Sequence, residues 1–194
     1  MEYADMAAYD DLVSRDEPAL LVARGSGWDG IGRGRRVVDL MEENAWSPAE
    51  VSMRGIWSSE AGRRRPAANQ PVFDLGGRHV ATPDLLDVAA GVAGEYDSDL
   101  HLARNQRRRD VEREDRYRSV GLEPVIMVTG DLADPWRFVG RLHAAYARAA
   151  RTPVADRRWT VEQPPWWTPT QTVAQRRALT AEKRARWLRH RAAS

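Results

Sequence analysis

The chemistry-bearing residues of this chain gather between positions 82 and 97. Thr82-Pro83-Asp84-Leu85-Leu86-Asp87 is followed by Gly94-Glu95-Tyr96-Asp97. Apolar residues surround these acids, and a buried carboxylate costs several kcal/mol unless something compensates it. A four-residue loop, Val88-Ala89-Ala90-Gly91, closes a hairpin with Asp87 opposite Val92, which sets Asp84 opposite Glu95. Directly opposed residues carry their Cβ atoms about 5 Å apart on one face. Asp97 shares that face by the two-residue period of a strand. Three carboxylates on one patch repel each other and suit a hard cation such as Mg2+ or Mn2+, which prefers oxygen ligands. The same spacing also suits a wet acidic face on an edge hairpin.

The 194 residues suffice for one core domain with extensions. No apolar run is long enough to span a membrane and no signal-peptide pattern is present, which makes the cytoplasm the default compartment. Cysteine is absent, so disulfides, zinc-thiolate sites and cysteine nucleophiles are excluded. The net charge is only +2, yet the isoelectric point is near 9.3. Arginine supplies nearly all the positive charge, in clusters, and its guanidinium suits bidentate phosphate contact. Basic clusters on a nearly neutral chain point to DNA or RNA as a partner. Nothing in the pattern specifies an oligomeric state.

The elements that must position the acids follow from periodicity. Tyr3, Met6, Tyr9, Leu12 and Val13 predict a short helix, and Pro18 to Ala23 reads as a strand. Gly25-Ser26-Gly27-Trp28-Asp29-Gly30 matches G-x-G-x-x-G, but Gly32 and Gly34 follow where a dinucleotide site needs a helix, so it reads as a loop. Arg35 to Glu43 predicts a helix. Ser47-Pro48-Ala49-Glu50 is a capping box with proline at N1 and opens another, ended by Gly62. Residues 69–74, 79–86 and 91–97 predict three meandering strands. A charged helix follows from Leu102 to about Val120, with Gly121 as its C-cap. Its Arg104, Arg107, Arg108, Arg109 and Arg113 are either a solvated, glutamate-paired face or a phosphate-binding one. Leu122 to Thr129 reads as a buried strand, and Asp134-Pro135 opens a last core helix to about Arg151. A helix crossing between the third and fourth strands makes those two parallel. The fold class is therefore α/β with a mixed central sheet: an N-terminal extension 1–46, a core 47–150, and a Pro/Trp linker with a basic helical tail 151–194. The tail tryptophans Trp166, Trp167 and Trp187 either anchor it or stack on bases.

Helix, three strands with acids on the second and third, helix, strand and helix resembles the restriction-endonuclease-like core of PD-(D/E)xK nucleases. Within it, Ser47-x-x-Glu50, Asn69-Gln70-Pro71-Val72-Phe73-Asp74, Pro83-Asp84-Leu85-Leu86-Asp87 with Glu95-Tyr96-Asp97 and His101, and Arg109-Asp110-x-x-Arg113 together resemble a domain-of-unknown-function family. That family is related to very-short-patch-repair endonucleases and is often found beside abortive-infection proteins. The resemblance implies a Mg2+- or Mn2+-dependent endonuclease acting on DNA, with Asp84 and Glu95 as metal ligands. It implies a supporting role for Glu50, which competes with helix capping, and an acid/base or phosphate-contacting role for His101. Asp97 stands where the superfamily has lysine, which leaves activation of water to metal, His101 or Gln70. It also leaves open a second reading, a catalytically inactive, nuclease-like binding or antitoxin-like protein.

Overall fold

The computed structural model describes residues 2–97 and 104–191, and the side chains of 104–111 and 190–191 lie outside that description. In chain order the elements are α1 (Glu2–Tyr9), α2 (Asp16–Arg24), α3 (Ile31–Leu40), α4 (Pro48–Ser59), β1 (Ala67–Ala68), β2 (Val72–Asp74), β3 (His79–Ala81), β4 (Leu85–Asp87), β5 (Val92–Asp97), α5 (Arg104–Val120), β6 (Glu123–Val128), α6 (Pro135–Ala149), β7 (Trp159–Thr160), α7 (Val173–Arg177) and α8 (Ala181–Arg191). They form two units. One is Trp46–Trp166; the other joins Met1–Ala45 to Trp167–Ser194. No helix among the described residues is long and apolar enough to cross a membrane.

The larger unit is α/β with a mixed four-stranded sheet in the order β1-β4-β5-β6. Asp87 pairs with Val92, Leu86 with Ala93 and Leu85 with Gly94, the register expected from the four-residue loop. Gly91 closes that loop at φ +74°, a left-handed conformation that glycine adopts without steric cost. Asp87 Oδ1 accepts from Ala90 N at 2.9 Å and so holds the turn from inside. β6 runs parallel to β5, with α5 crossing between them, as expected.

Alternation along each strand then makes two cores. Leu85 and Val92 point to one face, where Met53 and Trp57 of α4 and Phe138 and Leu142 of α6 cover them. Leu86 and Ala93 point to the other, against Tyr117 of α5, Leu122, Val72 and Trp159. Gly94 has a packing reason. A Cβ built there would lie 2.7 Å from Trp57 Cζ3. Gly94→Ala is expected to overpack this core by about 1–3 kcal/mol. That lowers the unfolding temperature by roughly 3–10 °C in a thermal melt.

Three expectations fail. The strand read over 79–86 breaks at Thr82-Pro83 into β3 and β4, which belong to different sheets. Proline has no N–H to give to a ladder, so it sits where pairing stops. The strand read over 69–74 shrinks to β2, because Asn69 takes φ 45° and Pro71 follows. β2 joins β3 and β7 in a separate sheet ordered β3-β2-β7, and the short β1 takes the edge beside β4. The meander of three strands in one sheet is thus not what forms. Lastly, Pro18 to Ala23 lies inside α2. Asp16, Glu17 and Pro18 fill a first helical turn, and Ser14 N donates to Glu17 Oε2 at 2.5 Å in a capping arrangement.

The smaller unit is helical. α3 starts at Ile31, four residues earlier than expected, immediately after Gly30 at φ +78°. The capping box at Thr172 forms, with Thr172 Oγ1 accepting from Gln175 N and Gln175 Oε1 from Thr172 N, both at 3.1 Å. Of the tail tryptophans, Trp187 lies under the Arg176 guanidinium at 5.6 Å. In the larger unit, Trp166 meets Phe73 edge-on at 6.0 Å while staying mostly exposed.

Candidate active site

Of the acids singled out in the sequence, Asp84 and Glu95 come together at β4 and β5. Asp84 immediately precedes β4, and the register of that hairpin carries it opposite Glu95 of β5. Asp84 Oδ2 accepts from Tyr96 N at 2.6 Å, which ties its carboxylate to the neighbouring strand. Glu50 enters from α4. Ser47 caps that helix, its Oγ accepting from Glu50 N at 3.2 Å. The Glu50 carboxylate does not complete the box on Ser47. Its Oε2 reaches one residue further back, to Trp46 N at 2.8 Å, and also accepts from Asn69 Nδ2 at 2.6 Å. Asn69 in turn donates its backbone N–H to Asp84 O at 2.9 Å. One residue in a left-handed conformation thus links the helix to the strand.

Glu95 is held from α5. Tyr117 donates its hydroxyl to Glu95 Oε1, and Arg113 Nη1 lies 3.2 Å from Glu95 Oε2. Tyr117 is buried on the core side of α5, whereas Arg113 is half exposed. Burial and the Glu95 charge push the Tyr117 hydroxyl well above its ordinary value, so it stays a donor.

These carboxylates share more negative charge than their donors neutralise. Burial first, and then the charge of Asp84, push Glu50 up to about 7. The same two causes push Glu95 up to about 7, against the pull of Tyr117 and Arg113. Burial pushes Asp84 up to about 6, against the Tyr96 N–H and Arg113. The native state therefore binds protons more tightly than the unfolded chain does. Stability from these three groups is complete below about pH 4 and is lost as pH rises to about 7. Asp74, held low by Arg78, and Glu17, held low by Ser14, act the other way, but at pH values below the usual carboxylate range. In EDTA, raising pH from 5 to 8 is expected to cost on the order of 3 kcal/mol. Thermal melts across that range check this; an unfolding temperature that rises from pH 5 to 8 contradicts it.

Carboxylate oxygens are the donors that a hard divalent ion prefers. The hydrogen bonds from Tyr96, Trp46 and Asn69 fall on one oxygen of each group, Asp84 Oδ2 and Glu50 Oε2, and Ser47 adds a side-chain hydrogen bond to Glu50. Glu95 has both oxygens engaged, yet each carboxylate oxygen keeps a second lone pair. No three His, Asp or Glu side chains among the described residues have ready metal-ligand geometry. Magnesium commonly takes one or two protein carboxylates and fills its shell with water and phosphate oxygens, so a two-carboxylate set suffices.

The other expected site residues divide. Asp97 ends β5, on the same face as Glu95 by alternation, paired in register with Val128. His101 lies outside the described residues, as do the side chains of Arg104, Arg107, Arg108 and Arg109. Arg113, expected on phosphate, is spent at least in part on Glu95. The arginines Arg176, Arg177 and Arg184 of the basic tail pair with Asp11 and Glu17 inside the smaller unit. Sequence reasoning missed Asn69 and Tyr117 as partners of the acids. Only Asn69 left a signal, as a polar residue two before Pro71 in an apolar stretch. Comparison with protein-family models, with curated proteins and with solved structures gives no match.

Proposed function

We propose that the larger unit is a nuclease of the restriction-endonuclease-like class that hydrolyses DNA phosphodiester bonds with Mg2+ or Mn2+. The observation that carries this is the gathering of three carboxylates, buried Glu50 and half-buried Asp84 and Glu95, with Tyr96 N, Asn69, Tyr117 and Arg113 orienting them. Evolution of a fold rarely keeps such a group for stability, and perturbed acids in one place mark functional sites. The order α4, antiparallel β4–β5, α5, parallel β6, α6 supports the fold assignment.

In this reading Asp84 and Glu95 would hold the metal, and Glu50 would support it or its water. A bound divalent ion lowers the pKa of its water and offsets charge developing on the phosphate. The chain's own residues do the rest. Tyr96 N and Asn69 fix the orientation of Asp84 and Glu50. Tyr117 and Arg113 hold Glu95 and favour its ionised form against burial. A carboxyl near pH 7 in its affinity for protons can accept one from an attacking water and pass it on. Arg113, half exposed, is placed to exchange Glu95 for a phosphate oxygen. The test is plasmid cleavage with Mg2+ or Mn2+, wild type against Asp84→Asn; equal cleavage by both ends the proposal.

A second reading, a binding protein without catalysis on the same scaffold, is favoured by one feature. Asp97 supplies no cation where the superfamily has lysine. Calorimetric titration with Mn2+ separates the two. A nuclease binds the ion and loses that binding in Asp84→Asn, whereas a pure binder shows no heat that depends on Asp84.

A further inference from the structure

The helical unit carries positive charge that the fold does not use. Its other arginines show the contrast. Arg176 is buried on Asp11 and three backbone carbonyls. Arg177 and Arg184 are tied to Glu17 and Asp11, and Arg15 donates to the Val38 carbonyl. Arg24, Arg33, Arg35 and Arg36 are all exposed, and among the described residues they make no ion pair or side-chain hydrogen bond. All four sit on the α2–α3 hairpin, with only Asp29 and Asp39 as acids between Arg24 and Leu40.

The placement of the three on α3 is unfavourable for the fold alone. The N-terminal end of a helix carries partial positive charge, which disfavours cations there. α3 has no acid in its first turn, and its three arginines fall in its first six residues. Ile31, Gly34 and Val38 are half-buried, and Val22 of α2 approaches the Gly34 position to 3.2 Å, so this stripe faces α2. Arg33 and Arg36, three apart, share the opposite face. Neither α2 nor α3 buries a residue completely, so the hairpin stands on the surface of its unit. At its tip Trp28 is 60% exposed. A Cβ at Gly25 would come within 2.8 Å of the Trp28 ring, so that glycine is what lets the indole lie flat over the turn. Gly27 and Gly32 have open space where a Cβ would be, so packing does not demand them. They leave bare backbone beside the arginines, where a polymer can come close.

We propose that the α2–α3 hairpin is a nucleic-acid docking surface, on which Arg24, Arg33, Arg35 and Arg36 contact phosphates and Trp28 contacts a base or sugar. A phosphate backbone offers the repeated negative charge that these four guanidiniums match, and an exposed ring set among arginines is the usual partner of a base. An anionic membrane would meet the same charges. It is the weaker match, because the arginines crowd the tip and the first turns of α3, whereas a membrane helix spreads its cations along one long face. The surface belongs to the smaller unit and does not depend on the hydrolytic reading.

The test is fluorescence polarisation of the full chain with labelled duplex and single-stranded DNA, in EDTA so that no metal-dependent step intervenes. Arg33→Ala/Arg36→Ala is expected to bind one or both about 10- to 50-fold more weakly at 0.1 M salt, and to flatten the slope of log affinity against log salt by roughly 1.5–2. Trp28→Ala is expected to weaken single-stranded binding more than duplex binding, with the salt slope kept. Circular dichroism confirms that the variants fold. Unchanged affinity and slope in a folded Arg33→Ala/Arg36→Ala variant overturn the proposal. So does retention of DNA binding together with loss of binding to phosphatidylserine vesicles, which assigns the hairpin to a membrane. Failure of the hydrolytic reading shows separately, as absence of cleavage by a wild type that still binds.

Discussion

Asp84→Asn is expected to lose about 1,000-fold or more of the Mg2+- or Mn2+-dependent cleavage while raising the unfolding temperature of the metal-free protein at pH 8. The two effects have one cause and opposite signs. Asp84 is the charge that both Glu50 and Glu95 feel. An amide there keeps an oxygen for the Tyr96 N–H, so the hydrogen bond at 2.6 Å survives. It removes the negative charge, so Glu50 and Glu95 fall back toward the ordinary carboxylate range and ionise at lower cost. Above pH 7 the native state then gains stability. Activity moves the other way, because the amide binds a hard cation far more weakly than a carboxylate does. Losing several kcal/mol of charge stabilisation in the transition state corresponds to about three orders of magnitude. A variant that merely misfolds would lose both. A destabilised Asp84→Asn, or one that still cleaves, contradicts the coupling or the chemistry respectively.

Metal should imitate the substitution in the wild type. A divalent ion that binds the ionised carboxyls competes with their protons. The stability lost between pH 5 and 8 in EDTA should therefore return with millimolar Mn2+, and return less in Asp84→Asn. Arg113 sets a limit to this. It already lowers Asp84 and Glu95 and is half exposed, so its removal should raise both groups further and sharpen the dependence on metal.

What the sequence made legible was local. The Asp84–Glu95 juxtaposition needed only the two-residue period and a loop of four ending in Gly91, and both hold. The parallel β5–β6 pair needed only a helix between two strands. What failed involved partners distant in the chain. Tyr117 lies 22 residues beyond Glu95 and reaches it only because α5 packs on the sheet. Asn69 orients Glu50 from a left-handed backbone conformation that no pattern announces. Two misreadings had visible signals. Pro83 in the middle of a supposed strand argued for the break between β3 and β4. Ser14-Arg15-Asp16-Glu17 was a capping sequence ahead of what was read as a strand. A five-residue apolar run does not distinguish strand from helix by itself; its flanks do.

Arg176→Ala is expected to destabilise the helical unit by about 3–5 kcal/mol, enough to unfold a marginal assembly of short helices. Arg176 is 1% exposed. Its Nε lies 2.7 Å from Asp11 Oδ1, its Nη1 3.0 Å from Thr170 O, and its Nη2 2.7 Å from Ala8 O and 3.0 Å from Glu43 O. One guanidinium therefore closes the ends of α1 and the segment after α3 onto α7. Asp11 itself sits at φ 60°, a strained conformation for a residue with a Cβ, and it persists because two arginines hold its carboxylate. Truncation leaves Asp11 buried with only half-exposed Arg184, and takes a donor from each of three carbonyls. The apolar cluster beneath, Ala8, Met41 and Val173, is too small to compensate. Arg176→Lys keeps the charge but not the planar fork, and should recover less than half of the loss. Limited proteolysis with mass spectrometry reads the result: early cuts within 2–45 and 167–191 at a temperature where 46–166 stays intact. Equal resistance of wild type and Arg176→Ala would show that the helices hold together without it.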